Sequence, residues 1–185
     1  MITYRKGDAT DPIGSGIKLI VHVCNNIGAW GAGFVLAVSK KWHTPEQEYR
    51  RMPAKKRKLG AVQYIPVGND KYVVNMVGQH DVRSNEFGVP PVRYAAISTC
   101  LKKTAEFAKS LEDGSREVSI HMPRIGCGLA GGDWKIMEKV IEESVGDVAV
   151  VVYDYDPNWK PTTKGKTAFT TATGVIPIPE RSDDE

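Results

Sequence analysis

Two glycine-rich connections, each running from an apolar strand into a helix, constrain this chain more than any other feature. The first to read is Met122–Trp134, MPRIGCGLAGGDW. It follows the β-branched run Val118-Ser119-Ile120 and leads into Trp134–Val145, where Ile136, Met137, Val140 and Ile141 recur at helical spacing. Gly126, Gly128, Gly131 and Gly132 let the backbone turn tightly and approach a ligand without a Cβ in the way. Such a turn presents successive N–H groups, and the helix behind it adds partial positive charge. Asp133 is placed to cap that helix. The second connection repeats the design. Leu19–Cys24 (LIVHVC) reads as a buried strand, Asn25–Gly33 (NNIGAWGAG) as the loop, and Phe34–Trp42 as the helix. Two such loops in 185 residues suggest one anion, a phosphate or diphosphate, gripped from both sides.

That length suits one domain with a real core. A hydrophobic content of 41% and a charged content of 25% are those of a soluble globular chain, expected to be cytoplasmic and monomeric. No apolar run approaches the ~20 residues of a membrane span, and the opening MITYRKGD lacks the apolar core of a secretory signal. Cys24, Cys100 and Cys127 have no metal-ligand spacing and read as reduced thiols; no metal or cofactor is expected. The net charge of +3 is mild. The run Lys55-Lys56-Arg57-Lys58 reads as a solvated face, because no aromatic residues are interleaved to stack on bases, and nucleic acid is not an expected partner.

In chain order, Ile2–Lys6 is a short strand closed by Gly7-Asp8-Ala9-Thr10. Asp8 either caps a turn or accepts from an exocyclic amine such as that of adenine. His22 is either a satisfied core histidine or a proton carrier. Asn25 and Asn26, where the strand ends, are either turn formers or partners for a sugar hydroxyl. Thr44–Lys58 is polar. Leu59–Val67 and Lys71–Val77 form a hairpin, and Gly78-Gln79-His80-Asp81 follows as a polar cluster within reach of the ligand. Arg83–Pro91 is loop, Val92–Leu111 helix, Glu117–Met122 strand and Asp147–Asp154 a last buried strand. Residues 156–185 lack periodicity and are expected to be an irregular tail, packed at most through Trp159 and Phe169 and flexible at its end. Alternating strands and helices with one inserted hairpin argue an α/β fold, a mixed sheet flanked by helices.

The motifs Gly7-Asp8-Ala9-Thr10, His22-Val23-Cys24-Asn25, Trp30-Gly31-Ala32-Gly33 and Met122–Leu129 resemble those of the macrodomains. The similarity is to the branch that contains terminal ADP-ribose protein glycohydrolase and the yeast-type ADP-ribose-1″-phosphate phosphatase. It covers residues 1–155 and implies a three-layer α/β/α macrodomain with a central mixed sheet. The implied ligand or substrate is ADP-ribose or a derivative, including ADP-ribosylated protein. By resemblance Asp8 and Ala9 meet adenine, as does Tyr155 after the last strand. Trp30, Gly31, Ala32, Gly33 and Phe34 close over the diphosphate and distal ribose from one side. Arg124, Ile125, Gly126, Cys127, Gly128, Leu129 and Ala130 close over it from the other, Cys127 through its backbone. Asn25, with Asn26 and Gln79 nearby, stands at the distal ribose.

Two departures bear on activity. The glycohydrolase branch places a lysine where this chain has Gln79, and an aspartate where it has Ala130. An amide cannot form the sugar adduct that a lysine amine forms, and alanine is neither acid nor base. His22 matches the histidine of the phosphatase-like members, so His22, with Asn25 positioning the ribose, is the expected catalytic pair; His80 is the other proton carrier. Asp133 is expected to cap its helix rather than reach the ribose. An enzyme acting on ADP-ribose derivatives, as a 1″-phosphatase or a de-ADP-ribosylating hydrolase without the lysine, is the leading expectation. A non-catalytic reader of ADP-ribose or mono-ADP-ribosylated protein is the alternative.

Overall fold

A computed structural model describes residues 1–158, 168–171 and 174–177. In chain order the elements are β1 (Ile2–Gly7), β2 (Ile17–Asn25), α1 (Phe34–Lys41), α2 (Thr44–Arg51), a 3₁₀ turn (Ala54–Lys56), β3 (Val62–Gly68), β4 (Lys71–Gln79), α3 (Tyr94–Leu111), β5 (Val118–Pro123), α4 (Trp134–Val145), β6 (Ala149–Tyr155), β7 (Ala168–Thr171) and β8 (Gly174–Pro177). The strands lie in the order β3-β4-β2-β5-β6-β1-β7-β8. β2 runs parallel to both β4 and β5, β6 runs parallel to β5 and β1, and the β3–β4 hairpin is antiparallel.

Alternate residues of β2 feed opposite layers. Leu19 and Val21 join Ile97 and Leu101 of α3 and Met137 and Ile141 of α4 in one core. Ile20 and Cys24 join Val35 and Val38 of α1 and Tyr49 of α2 in the other. A strand buried on both faces is therefore apolar almost throughout, and the sheet is covered on both sides. This is the expected three-layer α/β/α arrangement. The stretch at Thr44, read only as polar, begins with α2: Pro45 sits in its first turn, and Tyr49 is its buried anchor.

The tail departs from the irregular structure expected of it. β7 pairs antiparallel with β1, and β8 with β7, extending the sheet beyond what would have been its β1 edge. Four-residue strands are too short to leave a readable alternation, and only the open edge of β1 gives them something to pair with. Trp159 lies outside the described residues, and so does the side chain of Phe169.

Two histidines are buried in this sheet. His121 of β5 has Nδ1 2.8 Å from the Tyr153 hydroxyl and Nε2 2.8 Å from Ser119 Oγ. Burial, reinforced by Lys18 and Arg5, pushes its pKa down to about 3. Burial likewise pushes His22 down to about 4, against the opposing effect of its hydrogen bond to Asn75. In the unfolded chain both return to the ordinary 6.5, so the unfolded state binds more protons below that pH. The stability these neutral rings confer is complete above pH 6.5 and is lost as pH falls through 6.5 towards 4 and 3. Denaturant titrations should show a plateau above neutrality and a loss on the order of 5 kcal/mol by the acid end of that window. His121→Gln should flatten the acid limb, and an unchanged limb would place the acid sensitivity elsewhere.

Candidate functional site

The parallel neighbours β2 and β5 end side by side, so the loops that follow them face each other across one crevice. This is where open α/β sheets bind ligands, beyond the carboxyl ends of their strands. A cleft of about 590 Å³ opens there, lined by both loops, by the end of β4 and by the loop after it.

The first loop contributes Ala29, Gly31, Ala32, Gly33, Phe34 and Val35. Gly33, at φ 79° and ψ −147°, occupies the N-cap position of α1 with no side-chain cap, a conformation open only to glycine. Among the described residues the N–H groups of Gly31 to Val35 meet no backbone acceptor, and those at the start of α1 make up its positive end. The second loop contributes Arg124, Ile125, Gly126, Gly128, Leu129 and Ala130. It is pinned by Gly132 N–H to Gly126 carbonyl (2.8 Å), Gly131 N–H to Gly128 carbonyl (3.0 Å) and the expected Asp133 cap, whose Oδ1 accepts from Lys135 N–H at 2.8 Å. The N–H groups of Gly128, Leu129 and Ala130 likewise find no acceptor among the described residues. The exposed Leu129 side chain reaches across to Gly33, where a Cβ would stand 3.6 Å from its Cδ1. Two sets of backbone donors therefore flank a space roofed by Leu129, and an anion is the ligand such a space accommodates.

Several expected ligand contacts point elsewhere. Trp30 turns into the core, where its Nε1 donates to Ser39 Oγ at 2.8 Å and its ring packs on Tyr49 and His22. Cys127 also leaves the cleft, packs against the α4-side core and has its thiol pKa raised by burial, which agrees with a backbone-only role. Asn25 lines the cleft, but its side chain is the keystone of the loop. Oδ1 accepts from Ile27 N–H (3.1 Å) and Ala29 N–H (3.0 Å) and lies 2.8 Å from the Tyr49 hydroxyl, and Nδ2 donates to the Ala29 carbonyl (2.7 Å). Asn26 lies outside the lining and brackets the far loop, with Nδ2 donating to His80 Nδ1 (2.9 Å) and Oδ1 accepting from Asp81 N–H (3.0 Å).

His22 lines the floor of the cleft while only 2% exposed. Its Nε2 lies 2.6 Å from Asn75 Oδ1, and with its depressed pKa the ring is neutral at physiological pH. That runs against the expectation of a proton carrier: the ring is uncharged, so it is no acid, and burial makes it a weak base. Gln79 ends β4 at the cleft and donates to the Asp81 carbonyl at 3.0 Å. Asp81 holds a left-handed φ of 61°, the only such non-glycine residue among those described.

The opposite end carries the residues expected to meet adenine. Asp8 Oδ1 accepts from Thr10 N–H (2.8 Å) and Thr10 Oγ (2.7 Å), so the turn-capping reading holds for one oxygen. Tyr155 pairs in register with Gly7 and is 74% exposed. Neither lines the cleft itself, but the buried Ala9 packs in one cluster with Phe34, which does. Arg124 lines the cleft with its guanidinium bound at both ends to Asp154 (2.5 and 3.1 Å) and lying over Trp134, which fixes it in place.

Among the lining residues that the sequence did not assign to the site are Val82 and Arg83, the latter read only as the start of a loop. Arg83 meets no hydrogen-bond acceptor among the described residues and faces the anion cradle. The signal for it was a cation directly after the polar cluster that ends β4. Among the described residues no carboxylate lines the cleft, and no group of three or more His, Cys, Asp or Glu side chains could hold a metal ion.

No family model matches the chain. It is similar to a solved protein of Bacteroides thetaiotaomicron at 52% identity, covering 83% of this chain and 98% of that one with a TM-score of 0.78. It is also similar to a macrodomain protein of Streptomyces coelicolor at 44% identity, covering 84% and 100% with a TM-score of 0.70. A more distant likeness, 27% identity over 146 residues, joins 77% of the chain to 93% of the ADP-ribose 1″-phosphate phosphatase of Candida albicans.

Proposed function

The chain belongs to the macrodomain family, and on that premise we propose that it binds ADP-ribose between its two loops and processes derivatives substituted at the distal ribose, with ADP-ribose-1″-phosphate as the leading substrate. The observation that carries this reading is the double row of unpaired backbone donors, Gly31 to Val35 facing Gly128 to Ala130, around one cleft. With its diphosphate held there, ADP-ribose would run from Asp8, Ala9 and Tyr155 at the adenine end to Asn25, Gln79 and Arg83 at the distal end. The distant likeness to 1″-phosphate phosphatases supports the substrate.

The chemistry open to this chain is electrostatic. Backbone donors and Arg83 stabilise charge on phosphoryl oxygens as a water attacks, and they need no reorganisation to do so. With no carboxylate among the described lining residues and His22 a buried, weak base, the water's proton passes to an oxygen of the substrate phosphate and on to O1″ as the P–O1″ bond breaks, releasing ADP-ribose and inorganic phosphate. The same scarcity of acid–base groups favours a second reading, a binder of ADP-ribosylated protein that performs no reaction.

Calorimetric titration with ADP-ribose, run beside phosphate release from ADP-ribose-1″-phosphate, separates the two. Micromolar binding with phosphate release supports the enzyme, and binding without release supports the reader. Absence of binding would mean that the loops do not hold a diphosphate. Arg83→Ala should weaken binding of the 1″-phosphate about tenfold while changing ADP-ribose affinity little, because only the former brings a dianion to the distal end.

A further inference from the structure

Beneath the cleft a half-buried amide and a fully buried one are linked in a chain whose directions are all determined. Gln63 Nε2 donates to the Glu48 carbonyl of α2 at 3.0 Å, which leaves Gln63 Oε1 as an acceptor. Asn75 Nδ2 then donates to Gln63 Oε1 (3.1 Å) and to the Pro45 carbonyl (3.0 Å), so Asn75 Oδ1 faces His22 as an acceptor. The proton of His22 must therefore sit on Nε2, 2.6 Å away. Nδ1 is left bare, with the Cys24 thiol 3.9 Å from it; burial raises that thiol's pKa, so it keeps its proton and can donate. Asn75 is fully buried, and the partners that orient it belong to β3 and α2, outside the cleft.

We propose that Asn75 is a positioning residue for this site: it locks His22 in the neutral Nε2–H tautomer, so that the floor of the anion cradle carries no positive charge and its one ring proton is held by Asn75. The ring is met by Asn75 from β4, Cys24 from its own strand, Trp30 from the first loop and Phe34 from α1, none of them charged. The titratable groups beyond the loop, His80, Asp81 and Arg83, follow the end of β4, and no hydrogen bond among the described residues joins them to His22 or Asn75. An uncharged floor leaves ligand grip to the backbone donors, whose strength does not vary with pH. The inference rests on the ligand reading above for its binding arm alone.

The test begins with the unaltered protein. Long-range proton–nitrogen correlation spectra of its imidazoles should show His22 as an Nε2–H tautomer that does not titrate between pH 8 and pH 5, in line with a group held well below the range of a free imidazole. In Asn75→Asp a carboxylate replaces the amide oxygen and draws the ring into its charged form. His22 should then titrate above pH 6, and ADP-ribose affinity should acquire a pH dependence of about tenfold across that titration, relative to the unaltered protein over the same pH range. Asn75→Leu removes the acceptor at Nε2 altogether and should yield a mixture of His22 tautomers; it serves should Asn75→Asp not fold. An Nδ1–H tautomer in the unaltered protein, or a His22 titration above pH 6 there, overturns the proposal. So does a His22 tautomer unmoved in both variants. Failure of every form to bind ADP-ribose would instead overturn the ligand reading, and the spectra would still decide the role of Asn75.

Discussion

Asn25→Ala is expected to lower the stability of the whole domain by about 2–4 kcal/mol, and to abolish ligand binding at temperatures where the fold survives. The reason lies in what the side chain holds. Its amide satisfies the backbone at Ile27 and Ala29 and meets the hydroxyl of the fully buried Tyr49. Alanine leaves two loop N–H groups and one carbonyl without partners next to a core aromatic cluster, and each buried unsatisfied group costs about 1–3 kcal/mol before relaxation. Relaxation of the loop recovers part of that by letting water in, at the expense of the geometry that aims Gly31 to Val35 at the ligand. Denaturant unfolding and calorimetric titration on the same preparation check both halves. A variant that loses affinity with unchanged unfolding would mean that Asn25 is a ligand contact and not the loop's organiser.

Gly132→Ala is the second large effect. A Cβ at Gly132 would stand 2.5 Å from the backbone oxygen of Gly126 and 3.2 Å from its carbonyl carbon. The obstacle is main chain and cannot swing aside as a flexible side chain would. The same carbonyl accepts the 2.8 Å hydrogen bond from Gly132 N–H that closes the loop. Gly126 has little room to retreat, because it sits at φ 68° with Met137 and Val92 directly behind it. The second loop must therefore open, at a cost of about 1–3 kcal/mol, and the donors of Gly128, Leu129 and Ala130 lose their common focus. We expect ADP-ribose affinity to fall at least about tenfold, equal to about 1.4 kcal/mol, with a lowered Tm. Gly128→Ala is the control: no atom lies within 4 Å of its added Cβ, so any loss there reports the ligand's own space and not the loop's closure. Equal behaviour of the two variants would sink the closure argument.

Much of the scaffold was legible because it is written locally. Helix α4 announces itself by the spacing of Met137 and Ile141 behind an Asp133 cap, and both are where the periodicity put them. The strands β1, β2, β4, β5 and β6 were readable as β-branched or apolar runs, and the two glycine loops as the turns that follow two of them. Glycine content and an adjoining helix N-terminus are short-range properties, so the anion-cradle reading of each loop needed no partner.

The direction of a side chain is not local, and there the reading went astray at particular residues. Trp30 and Asn25 stand where the macrodomain resemblance puts ligand contacts; Tyr49, 19 and 24 residues away, meets both side chains on the core side. That residue comes from α2, a helix of charged and polar residues whose single buried aromatic gives almost no amphipathic signal. His22 could be core or catalyst by sequence alone, and the decision came from Asn75, 53 residues on and brought to 2.6 Å only by β2–β4 pairing. Arg83 became part of the site because the loop after β4 folds back against Val92, and the short tail strands formed because β1 offered an edge. By itself the sequence determined which segments form strands, helices and tight anion-presenting turns, since spacing, capping and missing Cβ atoms act over a few residues. Only the tertiary structure decided that the two turns share one cleft, because parallel neighbours β2 and β5 are joined by hydrogen bonds between residues about a hundred positions apart, a proximity that no local pattern encodes.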